Sequence, residues 1–203
     1  MLPETIRSWL ARRRYGTPVY VVSGLPRSGT SLMMQMLDAG GLPLLTDGLR
    51  AADADNPRGY FEYEPVKATE RDASWLVIAQ GKAVKVVSAL LAHLPRGFEY
   101  RIVFMRRPIA AILASQREML VRRGHPAPDA TTDTRLAELF ARHTADAAAA
   151  IERATGMRAL YVDYPAVIEE PEAAAKNVSA FLGGGLDTAR MAAVVDPALR
   201  RQR

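Results

Sequence analysis

Residues 18–31 read PVYVVSGLPRSGTS, and this stretch decides the fold class. Pro18–Val22 is a short β-branched and aromatic run, which is typical of a buried strand. A helix is predicted to begin at Ser28 or Gly29 and to continue to about residue 39, where two glycines end it. A strand, a glycine turn and a helix N-terminus form a cradle for an anion, because unpaired backbone N–H groups and the positive helix end face the ligand.

The turn has the spacing of a phosphate loop but lacks the lysine. Gly24 and Gly29 fit the template G-x4-G-K-[ST], and glycine lets the backbone approach a phosphate closely. The lysine position, however, holds Thr30, followed by Ser31. In a nucleoside triphosphatase that lysine reaches the β- and γ-phosphates, so its absence argues against this class of enzyme.

A second departure lies at the end of a later strand. A nucleoside triphosphatase has an aspartate there, which helps to hold Mg²⁺. The predicted strand Arg101–Met105 ends instead in Arg106 and Arg107. Cations therefore stand where a metal-using enzyme needs a carboxylate, and the sequence predicts an anion site that operates without Mg²⁺.

The remaining elements alternate between strands and helices. Further strands are predicted at 83–88, 101–105 and 157–162. Further helices are predicted at 3–14, from 108 onwards, and at 133–155, 171–182 and 186–195. The two long polar segments, 43–65 and 124–133, are predicted to be loops. The alternation predicts an α/β fold of the P-loop nucleotide-binding type, with three layers and a mainly parallel sheet between helices.

Composition sets the broad class of the protein. The chain has 203 residues, 49% of them hydrophobic and 24% charged, which suits a single domain spanning residues 1–203. The absence of cysteine excludes a disulfide framework, a thiolate metal site and a cysteine nucleophile. No apolar run approaches the ~20 residues that a membrane span needs, and the N-terminus lacks the apolar core of a signal peptide. We therefore expect a cytoplasmic protein with no membrane span.

The net charge of +5 is concentrated in one segment. Residues 101–123 hold six arginines and a single acid, Glu118, whereas basic and acidic side chains cancel in the rest of the chain. A neutral body with one basic segment favours a local anion site over a nucleic-acid-binding face, which spreads charge along an element. We therefore expect no nucleic-acid partner.

Two separated motifs make the sequence similar to the sulfotransferases that use 3′-phosphoadenosine 5′-phosphosulfate (PAPS), and most of all to their short bacterial branch. Residues 25–31, LPRSGTS, resemble the loop that binds the 5′-phosphosulfate in that family. Residues 104–115, FMRRPIAAILAS, resemble its 3′-phosphate motif, an arginine at a strand end and a serine two helical turns later. GYFE at 59–62 and GKAVKV at 81–86 also resemble family segments.

The resemblance implies which residues hold the donor. The loop residues that would bind the 5′-phosphosulfate are Pro26, Arg27, Ser28, Gly29, Thr30 and Ser31. Arg27, in the place of the family's lysine or arginine, would also act in catalysis by stabilising the charge that develops on the leaving phosphate.

For the 3′-phosphate the resemblance implies Ser115 together with Arg106 or Arg107. Arg106 stands two residues before the proline of the motif, whereas Arg107 stands eight before the serine, and the family has both spacings. Both arginines therefore remain candidates, and Arg106 is favoured as the strand-end residue. The basic end of the chain, residues 200–203, is either a further contact to the 3′-phosphate or a solvated tail, and the tail is favoured.

At the position of the general base, the sequence differs from the cytosolic branch of the family, which has a histidine just after its strand lysine. Here Lys85 is followed by two valines, and carboxylates are better candidates. Glu62 and Glu64 are two residues apart, so both point to one side of an extended segment. We predict Glu62 as the base. Lys85 is either a second contact to the sulfuryl group or a residue that only ends the pairing of two strands.

The resemblance thus implies sulfuryl transfer from PAPS to a hydroxyl or amine of a small-molecule acceptor, without a metal. Two alternatives stay open. One is a P-loop kinase or other nucleotide phosphotransferase, and the other is a non-catalytic nucleotide-binding protein on the same fold. The sequence determines neither the acceptor nor the oligomeric state.

Overall fold

The computed structural model describes residues 13, 15–50, 52–53, 59–126 and 128–196. A four-stranded parallel sheet forms the centre of this part of the chain. The strands are β1 (Val19–Gly24), β2 (Ala83–Lys85), β3 (Tyr100–Arg106) and β4 (Met157–Asp163), in the spatial order β2-β1-β3-β4. The predicted tail lies outside these ranges, and so does the predicted first helix except for residue 13.

The order of the strands determines where a ligand site is expected. From β1 the chain crosses to β2 on one side, and from β2 it returns past β1 to β3 and then to β4. The direction of the crossovers therefore reverses between β1 and β3. In open parallel sheets, ligands bind outside the carboxyl ends of the strands at such a reversal.

Helices cover both faces of the sheet. Seven α-helices lie in the described ranges: α1 (Thr30–Ala39), α2 (Leu76–Ala79), α3 (Ile109–Arg122), α4 (Ala130–Arg153), α5 (Tyr164–Glu169), α6 (Pro171–Leu182) and α7 (Thr188–Ala193). Two 3-10 helices lie at Glu64–Ala68 and Ser88–His93. No helix among the described residues combines the length and the apolar character that crossing a membrane requires.

Alternate residues of β3 enter two separate cores. Val103 and Met105 pack with residues of α1, α6 and α7 on one face of the sheet. Ile102 and Phe104 pack with residues of α2 and α4 on the other. Because successive side chains of a strand point to opposite faces, the two cores lie on opposite sides of the sheet. The predicted three-layer α/β fold is confirmed.

The element boundaries differ from the predicted ones in a few places. The strand predicted at 83–88 ends at Lys85, where its pairing with β1 ends after three positions. The helix predicted from residue 133 begins at Ala130, since the Asp129 carboxylate accepts a hydrogen bond from the Thr132 N–H at 2.7 Å and caps the helix. The short helices α2 and α5 were not predicted, because neither spans two full turns of periodic sequence.

Candidate active site

A cleft of about 400 Å³ opens at the carboxyl edge of the sheet. Segments that follow all four strands line it, together with α3 and part of the loop before residue 64. Most of the predicted site residues lie on its wall: Pro26, Arg27, Gly29, Thr30, Ser31, Glu62, Lys85, Arg107 and Ser115. The wall does not include Ser28 or Arg106. The cleft is thus the candidate site that the strand order indicates.

The shape of the phosphate loop depends on its two glycines. Gly24 has φ 147° and lies in register with Met105 of β3, whose carbonyl oxygen would be 2.6 Å from an added Cβ. Gly29 has φ 101°, and an added Cβ would overlap the ring of Tyr164. At both positions a side chain is excluded by the left-handed backbone and by a neighbour, so the loop can close over β1 only with glycine.

Arg27 sits at the centre of the site in a left-handed conformation, with φ 70°. Its Nε donates a hydrogen bond to the Ser115 hydroxyl at 3.1 Å, and its carbonyl oxygen accepts one from Arg107 Nη1 at 3.1 Å. A non-glycine residue held in this region costs about 1–3 kcal/mol and persists only where its surroundings fix it. Here Arg107, just before α3, and Ser115, midway along it, fix the conformation, so the loop after β1 and the segment after β3 form one unit.

The structure separates the two arginines that the sequence leaves as alternatives. Arg107 is half-buried in the cleft wall, with its guanidinium carbon 4.8 Å from the centre of the Tyr164 ring, and burial lowers its pKa. Arg106 is paired in register with Asp163 of β4 and makes two hydrogen bonds of 2.9 Å to that carboxylate, on the exposed side. Consecutive residues at the strand end point in opposite directions, and only Arg107 points into the cleft.

Ser28 lies beneath the loop rather than on the cleft wall. Its side chain is fully buried, and an added Cβ on Gly24 would be 2.5 Å from its hydroxyl oxygen. Its backbone N–H donates to the carbonyl of Leu25 at 3.2 Å and closes the turn. The predicted hydroxyl contact to a bound phosphosulfate is therefore left to Thr30 and Ser31, which line the cleft.

Lys85 and Glu62 meet at the opposite wall of the cleft. The Lys85 ammonium donates to the Tyr60 carbonyl at 2.9 Å and to the Ser31 hydroxyl at 3.3 Å, and it lies 3.8 Å from Oε1 of Glu62. Its side chain is only 13% exposed. Burial lowers the pKa of Lys85 to about 8, although the Glu62 carboxylate acts in the opposite direction. The end of β2 thus carries a desolvated cation directly beside the phosphate loop.

Three wall residues were not predicted from the sequence. Arg50 stacks on the Tyr60 ring, with 3.4 Å from its guanidinium carbon to the ring centre, and its Nη1 lies 2.9 Å from Oε1 of Glu62. Tyr164 follows β4 and supports Gly29 and Arg107. Tyr164 directly follows β4, as Arg107 directly follows β3, but the predicted fourth strand ends at residue 162, so the sequence does not single Tyr164 out. Arg50 and Tyr60 lie in the long loop, where the sequence carries no periodic signal.

The charge of the cleft suits a polyanion. Its described lining residues include five cations, Arg27, Arg50, Lys85, Arg107 and Arg122, against the carboxylates of Glu62 and Glu118. The N-terminus of α1 adds its positive end at Thr30. In the described parts of the chain no group of three His, Asp or Glu side chains is placed to hold a metal ion.

The chain has the fold of the sulfotransferases, as comparison with solved structures shows. It matches the sulfotransferase domain of an olefin synthase from Synechococcus PCC 7002 with a TM-score of 0.55 and 16% identity, over 92% of this chain and 83% of that one. A sulfotransferase from Mycobacterium avium matches with a TM-score of 0.54 and 15% identity, over 98% and 73% of the two chains. One from Alicyclobacillus acidocaldarius matches with a TM-score of 0.52 and 15% identity, over 91% and 99%. No family model and no curated protein matches the sequence.

The contact between Gly29 and Tyr164 gives a prediction about stability. Gly29→Ala must place a methyl group on the Tyr164 ring and also adopt a left-handed φ, so we expect the free energy of unfolding to fall by about 2–4 kcal/mol. Gly41→Ala is the matched control, since Gly41 has φ 86° but an added Cβ meets nothing within 4 Å. It should cost only about 1 kcal/mol. Urea denaturation measures both, and an equal loss in the two variants would contradict the contact.

Proposed function

We propose that this protein transfers a sulfuryl group from PAPS to a hydroxyl or amine of a small-molecule acceptor. The observation that carries the proposal is the hydrogen bond from Arg27 to Ser115, at 3.1 Å, which joins the two motifs across 88 residues of chain. Arg107 belongs to the second motif and contacts the same Arg27. The sulfotransferase fold of the chain supports the same conclusion.

The residues on the wall fit the donor. PAPS carries anionic groups at both ends of its ribose, and a site that uses no metal needs fixed cations and N–H donors for each. The loop from Pro26 to Ser31, with the positive end of α1, is suited to the 5′-phosphosulfate. Arg107 and Ser115 are suited to the 3′-phosphate, since both line the cleft, Arg107 just before α3 and Ser115 midway along it.

Bound PAPS supplies the reactive bond: the sulfur–oxygen bond to the 5′-phosphate breaks, its electron pair stays on adenosine 3′,5′-bisphosphate, and sulfur bonds to the acceptor atom. Arg27 lies in the loop and Lys85 lies beside it, within 3.3 Å of the Ser31 hydroxyl, and both stabilise the charge that develops on the leaving phosphate and the sulfuryl oxygens. Glu62, whose Oε1 is 3.8 Å from the Lys85 ammonium, takes the proton from the acceptor hydroxyl or amine.

Calorimetric titration and a transfer assay test the proposal together. Adenosine 3′,5′-bisphosphate should bind equally with and without Mg²⁺, and labelled sulfate should move from PAPS to an acceptor. Arg27→Ala should lose transfer by at least ~10²-fold, a larger loss than its effect on bisphosphate affinity, because it removes a donor aimed at the developing charge. Mg²⁺-dependent ATP binding without bisphosphate binding would indicate a phosphotransferase instead. Bisphosphate binding with no transfer to a broad acceptor panel would indicate a non-catalytic protein.

The two arginines of the second motif should differ in nucleotide binding. Arg107→Ala removes a charged contact to the 3′-phosphate and should weaken adenosine 3′,5′-bisphosphate binding by roughly 10- to 100-fold. Arg106→Ala removes only the exposed pair with Asp163 and should change the affinity less than about threefold. Calorimetry measures both, and a larger loss in the Arg106 variant would overturn the assignment. Ser115→Ala tests the same subsite without altering either arginine.

The titration of Lys85 should make kcat/KM for PAPS depend on pH. Because burial lowers its pKa to about 8, Lys85 is protonated below that pH and loses its charge above it. The value of kcat/KM for PAPS, which reports groups of the free enzyme, should therefore fall as the pH rises through about 8. Lys85→Arg keeps the charge, so its profile should stay flat to higher pH. A fall near pH 8 that persists in Lys85→Arg would show that another group titrates.

Glu62→Gln tests the base. The amide cannot accept a proton, so kcat should fall by ~10²–10⁴-fold, whereas the affinity for adenosine 3′,5′-bisphosphate should change little. Glu64→Gln is the control, because Glu64 is exposed, pairs with Lys67 at 2.7 Å and lies off the cleft wall. Wild-type kcat in Glu62→Gln would assign the proton to another group.

A further inference from the structure

The acceptor class can be inferred from the end of the cleft that faces away from Arg107, and the inference rests on the proposed function. This acceptor end is formed by Arg50, Tyr60, Glu62, Lys85, Val86 and Val87. We infer that the acceptor is an uncharged molecule whose reacting hydroxyl is attached to an apolar body. Three separate features of the acceptor end lead to this conclusion.

The polar side chains of the acceptor end bind one another. Arg50 and Lys85 both face Oε1 of Glu62, at 2.9 and 3.8 Å, and Lys85 also donates to the backbone and to the phosphate loop. Arg50 covers one face of the Tyr60 ring. A sugar or other polyol must find a partner for each hydroxyl, and providing one here breaks these pairs and leaves polar groups unsatisfied. A molecule with a single reacting hydroxyl makes no such demand.

The rest of this wall is apolar. Val86 is buried beneath the cleft, and Val87, the next residue, is 46% exposed at the end of β2. Leu25 and Met119 extend the apolar surface toward the phosphate loop and α3. Each square ångström of apolar surface that a ligand covers here contributes roughly 25 cal/mol. An apolar body in contact with Val87 therefore gains binding free energy in the region where polar groups offer little.

The charges of the cleft disfavour an ionic acceptor of either sign. The five cations exceed the two carboxylates by three, and the phosphate and phosphosulfate groups of the donor take up this excess. An anionic acceptor would then lie beside the donor without a cation of its own. A cationic acceptor would face Arg50, with Glu62 already shared by Arg50 and Lys85. Only an uncharged acceptor avoids both conflicts.

Binding of four matched probes to protein saturated with adenosine 3′,5′-bisphosphate tests the acceptor class. The probes are 2-naphthol, the anion 4-hydroxybenzoate, the cation tyramine and the polyol methyl glucoside, each measured by calorimetry. We expect 2-naphthol to bind at least ~10-fold more tightly than the other three, which corresponds to about 1.4 kcal/mol. Equal or tighter binding of any charged or polyhydroxyl probe would overturn the inference.

Substitution of Val87 tests the surface directly. Val87→Asp should weaken 2-naphthol binding at least ~10-fold and leave the affinity for adenosine 3′,5′-bisphosphate unchanged, which also shows that the variant is folded. The nearly isosteric Val87→Thr should give a smaller loss in the same direction. Val77→Asp is the matched control, since Val77 is a 68% exposed valine on α2 that does not line the cleft. Undiminished 2-naphthol binding in Val87→Asp would refute the contact.

The outcomes distinguish this inference from the function on which it rests. If the bisphosphate binds but the four probes do not differ, the acceptor class is wrong and the donor assignment stands. If the bisphosphate does not bind, the donor assignment falls, and the same probes are then titrated into the free protein. Selective, Val87-dependent binding of 2-naphthol would still support an apolar acceptor end, and its absence would overturn it.

Discussion

The guanidinium of Arg107 ties three parts of the site together. It lies on the ring of Tyr164 at the end of β4, donates to the carbonyl of Arg27 in the phosphate loop, and belongs to the segment that leads from β3 into α3. Arg27 can hold its left-handed conformation because this contact and the hydrogen bond to Ser115 both restrain it. The position of the central cation of the cleft therefore depends on residues contributed by three strands. Local sequence around Arg27 alone does not determine it.

The same connection explains what could be predicted from the sequence. β1, β3 and the loop between Gly24 and Gly29 were predicted well, because a strand buried on both faces is a continuous apolar run and glycine spacing marks the turn. The sequence could not decide between Arg106 and Arg107. That choice depends on the residue at which β3 ends and on the register with Asp163 of β4, which is 57 residues away. The burial of Ser28 likewise depends on how the turn after Gly24 packs against Met105 of β3, and no local sequence pattern encodes it.

The wall opposite Arg107 was harder to predict for a related reason. Lys85 stands out in the sequence because it lies in a segment that resembles the family, but its partners come from the long loop, where Arg50, Tyr60 and Glu62 have no periodic spacing. Desolvation of Lys85 depends on how that loop packs over the end of β2. The lowered pKa of this lysine is therefore a property of the tertiary structure, even though the lysine itself stands out in the sequence.

β2 is the shortest strand of the sheet: its three residues pair with β1, and on its other edge Ala83 forms an isolated bridge with Leu44. The residues proposed to bind the donor follow β1 and β3, which are central, longer and almost completely buried. A substitution or insertion near β2 and its loop disturbs few backbone hydrogen bonds, whereas one in β1 or β3 disturbs the middle of the sheet. For the proposed activity, acceptor choice could therefore diverge in evolution, or be altered in the laboratory, while the proposed nucleotide site stays intact. The edge of the sheet would then be the place from which to change the acceptor.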